Sequence, residues 1–131
     1  MKKPIDIDAM VAEAVPMREN PQLAFTMPVK LVSEANQREH WRTKHNRKKK
    51  QQAALQDTLV GSGAVALPCV VRLIRIGPRR LDSDNLAGSM KHVQDEMARY
   101  IGVDDGDERI KWEYAQVPVG KRVYQVRVEV Y

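Results

Sequence analysis

The segment from Leu67 to Ile76 restricts the fold of this chain more than any other. It is rich in apolar and β-branched residues, which predicts a buried strand. Gly77-Pro78 follows directly and ends that strand. A strand of this kind favours the centre of a sheet, so other segments of the chain must supply its neighbours.

Three further segments have strand patterns. Residues 23–32 predict a strand at a sheet edge or with a bulge, because Pro28 cannot donate a hydrogen bond to a neighbouring strand. Residues 110–117 and 123–130 predict two more strands, and valines alternate with charged residues in the last one. The Pro118-Val119-Gly120 corner between these two predicts a hairpin.

Two main helices and one short helix complete the pattern. The short helix is predicted over residues 8–14, and Asn36 is the expected N-cap of a helix that runs to about Val60. The third helix is predicted from about Asp84 to Ile101, with Gly102 as its C-cap. Its apolar stripe has helical spacing and comprises Leu86, Met90, Val93, Met97 and Ile101.

The order of these elements is β-α-β-α-β-β, which predicts an α+β fold. We expect a four-stranded mixed sheet with two main helices packed on it. A chain of 131 residues is the size of one domain. Residues 1–20 carry two prolines and charged ends, so they are expected to form a loosely ordered N-terminal arm, with the single domain over residues 21–131.

Composition excludes several classes of protein. No apolar run approaches the roughly 20 residues of a membrane span, so no membrane partner is expected. Cys69 is the only cysteine, which rules out an intramolecular disulfide and a zinc-thiolate cluster. We expect Cys69 to be buried and inert, and the protein to be cytoplasmic.

The charges of the chain are segregated along the sequence. Residues 38–80 hold eleven Lys or Arg and two acids, whereas residues 82–113 hold nine Asp or Glu and four bases. The basic block indicates a polyanionic partner. The acidic block beside it could approach phosphate only with a cation between them.

The acidic block contains a candidate metal site. Asp82 and Asp84 follow a predicted strand and open a predicted helix, and Asp104-Asp105 follow that helix. Carboxylates that converge there would repel unless a divalent cation joined them, and hard oxygen ligands favour Mg²⁺, with Mn²⁺ as a substitute. The alternative is structural: Asp84 or Asn85 caps the helix, and Asp104-Asp105 belong to an ordinary solvated turn.

Lys91 and Asp95 have two interpretations as well. On a wheel of one continuous helix, they lie on the side of Asp84, opposite the apolar stripe. Lys91 could therefore stand beside a metal and neutralise charge on a phosphate. The alternative is an exposed ion pair with Asp95 at four-residue spacing.

The predicted helix after Asn36 is unusually basic in its first half. Between Arg38 and Lys50 the only acid is Glu39, which favours a helix that grips a phosphate backbone. A charged surface without a partner and a mobile loop are the alternatives. Four arginines (Arg72, Arg75, Arg79 and Arg80) are expected to extend the positive surface toward the acids. The candidate DNA-binding residues are Arg42, Lys44, Arg47, Lys48, Lys49, Lys50, Arg79 and Arg80.

These acidic and basic motifs together resemble the RusA family of Holliday junction resolvases. The resemblance lies in Arg79-Arg80-Leu81-Asp82-Ser83-Asp84-Asn85-Leu86, Lys91-His92-Val93-Gln94-Asp95 and Gly102-Val103-Asp104-Asp105, and Ser33 to Trp41 is similar to the family's Ser/Asn-rich turn and following aromatic residue. It covers roughly residues 23 to 131. The chain departs from the family pattern in a longer stretch from Asn85 to Lys91, and in having Val32 where the family has a proline.

The resemblance implies specific roles for residues of this chain. Asp82, Asp84 and Asp105 would hold Mg²⁺, and Lys91 would be required for cleavage. Asn36, Asn85, Asp95 and Asp104 are secondary candidates. The implied protein is a homodimer that cleaves four-way DNA junctions by paired nicks in recombination and repair. A basic DNA-binding protein without activity and a broader nuclease for branched or flap DNA are the alternatives.

Overall fold

The computed structural model describes residues 6–15, 18–31 and 41–131. The expected α+β class is confirmed: the structure has a four-stranded mixed sheet with helices packed on it. The elements in chain order are α1 (Ile7–Ala14), β1 (Leu23–Met27), α2 (Trp41–Leu59), β2 (Cys69–Gly77), α3 (Ser83–Ser89), α4 (Lys91–Ile101), β3 (Ile110–Pro118) and β4 (Gln125–Val130).

The sheet has the order β1-β4-β2-β3. As predicted, β2 is a central strand and β1 is an edge strand, which ends at Met27, just before Pro28. β2 pairs with β3 in parallel, and β4 pairs antiparallel with both β1 and β2.

The predicted hairpin of the last two strands is wrong. β4 does not pair with β3 but lies on the other side of β2. Residues 119–124 cross the end of β2, where the Gly120 N–H donates to the Pro78 carbonyl at 3.2 Å. Two strand spacings are about 10 Å, which six residues span easily, so a short connection does not require a hairpin.

One face of the sheet, here called the helix face, carries α2, α3 and α4. The predicted apolar stripe packs there: Leu86, Met90, Val93 and Met97 are buried, and Ile101 is partly buried against the same cluster. The predicted single helix is divided in two at Met90, which ends α3 and precedes α4. Cys69 is buried as expected, and burial raises the pKa of its thiol.

The opposite face is covered in part by α1. Val11 is buried against Ile74, Ile76 and Val117. Residues 1–20 were expected to be a loosely ordered arm, and the described part of this segment contributes to the core through α1. None of the helices within the described residues is both long and apolar enough to cross a membrane.

Candidate nuclease site

The segment that leads to the first acids is anchored to two strands by side chains. The Gln116 amide of β3 accepts a hydrogen bond from the Leu81 N–H at 2.8 Å and donates to the Leu81 carbonyl at 2.7 Å. The buried Arg75 of β2 donates to the Arg79 carbonyl at 2.6 Å. Gly77 leaves room for this arginine, because a Cβ there would lie 2.8 Å from the Arg75 guanidinium. The chain therefore reaches Asp82 along a fixed path.

Asp82 is the N-cap of α3. Its Oδ1 accepts from the Asn85 N–H and its Oδ2 from the Asn85 Nδ2, both at 2.8 Å. The structural alternative named Asp84 or Asn85 as the cap, and the structure assigns that role to Asp82. Asp84 lies in the first turn of α3 with its side chain exposed.

Lys91 and Asp95 lie on α4, not on the helix that carries Asp84. The prediction that Asp84, Lys91 and Asp95 lie on one side assumed a single continuous helix. The helix is interrupted at Met90, so the helical wheel no longer supports that prediction. Lys91 is exposed at the first position of α4, and Asp95 is half-buried. These two side chains form no ion pair with each other in the part of the chain that the structure describes.

The second acidic segment is held by Trp112 of β3, whose indole N–H donates to the Asp105 carbonyl at 2.8 Å. The side chains of Asp104 and Asp105 are exposed. Gly102 ends α4 with a φ of 95°, a left-handed conformation that favours glycine. A cavity of about 690 Å³ beside this turn is lined by Asp95, Arg99, Asp104, Asp105 and Asp107, among others.

Asp107 has a structural partner. Arg109 donates to both of its carboxylate oxygens, at 3.0 Å from Nε and 2.9 Å from Nη2. These hydrogen bonds lower the pKa of Asp107 from 3.8 to about 2. Both carboxylate oxygens of Asp107 thus accept hydrogen bonds from a residue of the same turn.

One row of side chains on β3 faces both acidic segments. Trp112, Tyr114 and Gln116 alternate along the strand and lie on the helix face, because residues two apart share a face. Tyr114 lies between the two anchoring residues and donates from its hydroxyl to Gln94 of α4. Burial raises the pKa of Tyr114, to which the nearby Asp105 charge adds.

This row was missed by sequence analysis. The signal was present, since two aromatic residues and a glutamine occupy alternate positions where a buried strand face would hold aliphatic residues. Only the parallel pairing of β3 with β2 shows that these positions face the acidic segments.

The predicted metal ligands do not form a preassembled cluster. Within residues 6–15, 18–31 and 41–131, no group of three His, Cys, Asp or Glu side chains is close enough to hold a metal ion. The segment of Asp82 is anchored at Gln116 and the segment of Asp105 at Trp112. These two anchoring residues are four positions apart on β3, which is about 13 Å along the strand. Exposed carboxylates are oxygen donors of the type that Mg²⁺ prefers.

The basic residues of α2 form an exposed or half-exposed surface, as predicted. This set comprises Arg42, Lys44, Arg47, Lys48, Lys49 and Lys50. Trp41, at the start of this surface, is 66% exposed, and the Arg42 guanidinium lies 5.5 Å from the centre of its ring. Asn36, predicted as N-cap and secondary site residue, lies outside the described residues.

Two of the four arginines expected to extend this surface do not. Arg72 lies on the sheet face opposite the helix face, paired with Glu129 at 3.3 Å and with Glu113 at 3.7 Å. Arg75 is buried beneath the loop that leads to α3. Arg79 and Arg80 are exposed, directly before the first acids.

The acidic segments and the basic half of α2 lie at opposite edges of the sheet. Gln51 of α2 donates to the Lys30 carbonyl just beyond β1, whereas Gln116 and Trp112 belong to β3. Three strand spacings, about 14 Å, separate β1 from β3. The C-terminal half of α2 packs toward α4, where Gln56 donates to Glu96 at 2.8 Å.

Comparison of the chain with models of known protein families gave no match, and a search of curated proteins also gave none.

Proposed function

We propose that this protein is a Mg²⁺-dependent, structure-selective endodeoxyribonuclease that resolves four-way DNA junctions by paired nicks. The observation that carries the proposal is the row on β3. Gln116 and Trp112 hold the two acidic segments on one strand, with their carboxylates exposed and with Arg79 and Arg80 beside them. A cationic helix lies at the opposite edge of the same sheet.

Asp82, Asp84 and Asp105 are the residues that would hold Mg²⁺. No three of the described acids lie close enough together to hold a metal ion. The three carboxylates would therefore have to move closer to one another when the ion binds. Bound Mg²⁺ would supply an activated water and a counter-charge for the scissile phosphate.

The basic residues orient the substrate in this proposal. Arg79 and Arg80 bind phosphates next to the acids, and residues 42–50 bind the DNA backbone farther away. Lys91 is exposed between the two acidic segments along the chain, where its ammonium stabilises charge that develops on the cleaved phosphodiester.

A four-way junction has nearly two-fold symmetry and requires two opposed nicks, so we propose that the active form is a homodimer. The single buried cysteine fits a reducing compartment, and we propose that the protein acts in the cytoplasm.

The substitution Asp82→Asn tests this function. Asparagine is as good an N-cap as aspartate, so α3 should be preserved while a charged ligand is lost. We expect cleavage of a labelled four-way junction in Mg²⁺ to fall by at least 100-fold, with junction binding retained. The control is Asp57→Asn, an exposed acid of α2, which should cleave normally. Unimpaired cleavage by Asp82→Asn would refute the assignment.

A second candidate function is a DNA-binding protein without activity. It is favoured by the capping role of Asp82, whose two oxygens already accept hydrogen bonds. Titration with Mg²⁺ or Mn²⁺ separates the two candidates, because an ion that binds only the folded state raises the melting temperature. Capping residues alone would give no such shift. Four-way, three-way and flap substrates, compared at equal concentration, separate a resolvase from a broader branched-DNA nuclease.

A further inference from the structure

A cavity of about 490 Å³ lies at the edge of the sheet opposite the acids. It is formed between the segment that follows β1 and one side of α2, and its volume falls within the roughly 300–1,000 Å³ of typical small-ligand sites. We call it the α2 pocket. Its lining residues are Pro28, Val29, Lys30, Thr43, Asn46, Arg47, Lys50, Gln51 and Ala54.

The charge of the α2 pocket favours an anion. Lys30, Arg47 and Lys50 line it, and the described lining residues include no carboxylate. The Lys30 ammonium lies 4.8 Å from the centre of the Tyr124 ring, a cation–π contact that holds this side chain toward the connection before β4. The two lysines add positive charge at the cavity, which attracts a phosphate group.

Gln51 gives the α2 pocket a second chemical feature. Its side chain is only 2% exposed, and its Nε2 donates to the Lys30 carbonyl at 3.3 Å. That contact orients the amide, while Oε1 has no hydrogen-bond partner within the described parts of the chain. A buried acceptor without a partner is unfavourable, so a ligand that donates an N–H there would recover a hydrogen bond.

The remaining walls are partly apolar. Pro28, Val29 and Ala54 contribute carbon surface, against which a planar ring or a sugar can pack. A nucleotide combines these features, because it carries a phosphate, a planar ring and an N–H donor.

We propose that the α2 pocket binds one nucleotide unit of the DNA strand that the enzyme cleaves, an inference that rests on the proposed function. Lys50 binds the phosphate, with positive charge from Lys30 nearby, and Gln51 accepts a hydrogen bond from an N–H of the base. Because the α2 pocket and the acids lie at opposite edges of the sheet, the bound strand crosses the outer surface of the helix layer between them. A base that is unpaired at a branch point fits such a cavity better than one stacked in a duplex.

Titration of the full chain with deoxynucleoside 5′-monophosphates tests the α2 pocket without any cleavage assay. In NMR spectra we expect shifts of the Gln51 side-chain amide and of the backbone amides of Lys30 and Ala54. We expect Gln51→Leu to weaken nucleotide binding about tenfold, the equivalent of one hydrogen bond, and to leave the weaker binding of inorganic phosphate unchanged. The matched control is Gln52→Leu, a neighbouring residue of α2 that does not line the cavity.

A second variant, Lys50→Gln, keeps the test valid if Gln51→Leu fails to fold, because Lys50 is exposed. It should weaken both nucleotide and inorganic phosphate. Nucleotide binding that is no tighter than phosphate binding, or that is unchanged in both variants, would overturn the proposal.

The outcome is separable from that of the nuclease assay. Asp82→Asn should bind nucleotides normally. If it also cleaves normally, the nuclease site is refuted and the α2 pocket stands. If the wild-type protein cleaves junctions and Gln51→Leu cleaves and binds them equally well, the α2 pocket alone is refuted.

Discussion

Asp82 combines a structural and a proposed catalytic role in one side chain. Each of its oxygens accepts one hydrogen bond from Asn85, and a carboxylate oxygen has a further lone pair. Capping therefore leaves acceptor capacity for a cation. The two roles respond differently to substitution, since asparagine retains the cap and loses the charge, whereas alanine loses both.

Asp107 is an acid whose partner is known, and its titration can be predicted. Replacing Arg109 with glutamine removes the charged donors, so the pKa of Asp107 should rise from about 2 toward its ordinary value of 3.8. Because the folded-state pKa lies below the unfolded one, this pair stabilises the fold above pH 4, and the contribution is lost as the pH falls toward 2.

The pKa of Asp107 is measured by NMR of its side-chain carboxyl carbon across pH 1.5 to 6. Arg99→Gln serves as the control, because Arg99 lines the same cavity but makes none of the hydrogen bonds to Asp107. A pKa near 2 that persists in Arg109→Gln would show that another group depresses it.

At the scale of elements, the loop between β2 and α3 is held by the sheet and not by its own sequence. The Gln116 side chain forms hydrogen bonds with both the N–H and the carbonyl of Leu81. Leu81 directly precedes Asp82, the first proposed metal ligand. A side chain on β3 thus positions Asp82 without approaching the proposed metal. Gln116 is in this sense a positioning residue.

We predict that Gln116→Leu leaves both Leu81 groups without that partner and lowers the free energy of unfolding by about 1–3 kcal/mol. Cleavage should fall through kcat, with KM for the junction nearly unchanged, because the acids are displaced while the DNA-binding surfaces remain. Urea unfolding and steady-state cleavage measure the two effects.

Gln125→Leu is the matched control, since Gln125 is also a half-buried strand glutamine, but it lies on the opposite face of the sheet and makes neither hydrogen bond to Leu81. Equal losses of activity in both variants would argue against a specific role for Gln116.

At the scale of the whole molecule, the second face of the sheet holds a network of charges that joins several strands. Glu129 of β4 is 1% exposed and pairs with Arg72 at 3.3 Å and Arg127 at 2.8 Å. Glu113 of β3 pairs with Arg18 at 3.0 Å. The charged residues that alternate with valines along β4, Arg127 and Glu129, belong to this network.

We predict that Glu129→Gln lowers the free energy of unfolding by about 3 kcal/mol, because it leaves two largely buried arginines without their shared counter-charge. Chemical denaturation measures the loss. Glu108→Gln, at an exposed turn residue, should change stability by less than about 0.5 kcal/mol. A loss below 1 kcal/mol in Glu129→Gln would mean that solvent screens the network.

The sequence determined the type and position of most elements, because helical and strand periodicities are local properties of the chain. The stripe from Leu86 to Met97 is buried as its spacing required, and the apolar, β-branched segment that became β2 lies at the centre of the sheet. The charge segregation is also fixed by sequence alone.

Only the tertiary structure decided which strands are neighbours and what faces the acids. The insertion of β4 between β1 and β2 depends on burying both faces of that strand, which no local pattern specifies. The same arrangement turns Trp112, Tyr114 and Gln116 toward the acidic segments, buries Arg75 and directs Arg72 into an ion pair. The α2 pocket likewise exists because residues about twenty positions apart meet across β1 and α2, and packing, unlike periodicity, acts between distant parts of a chain.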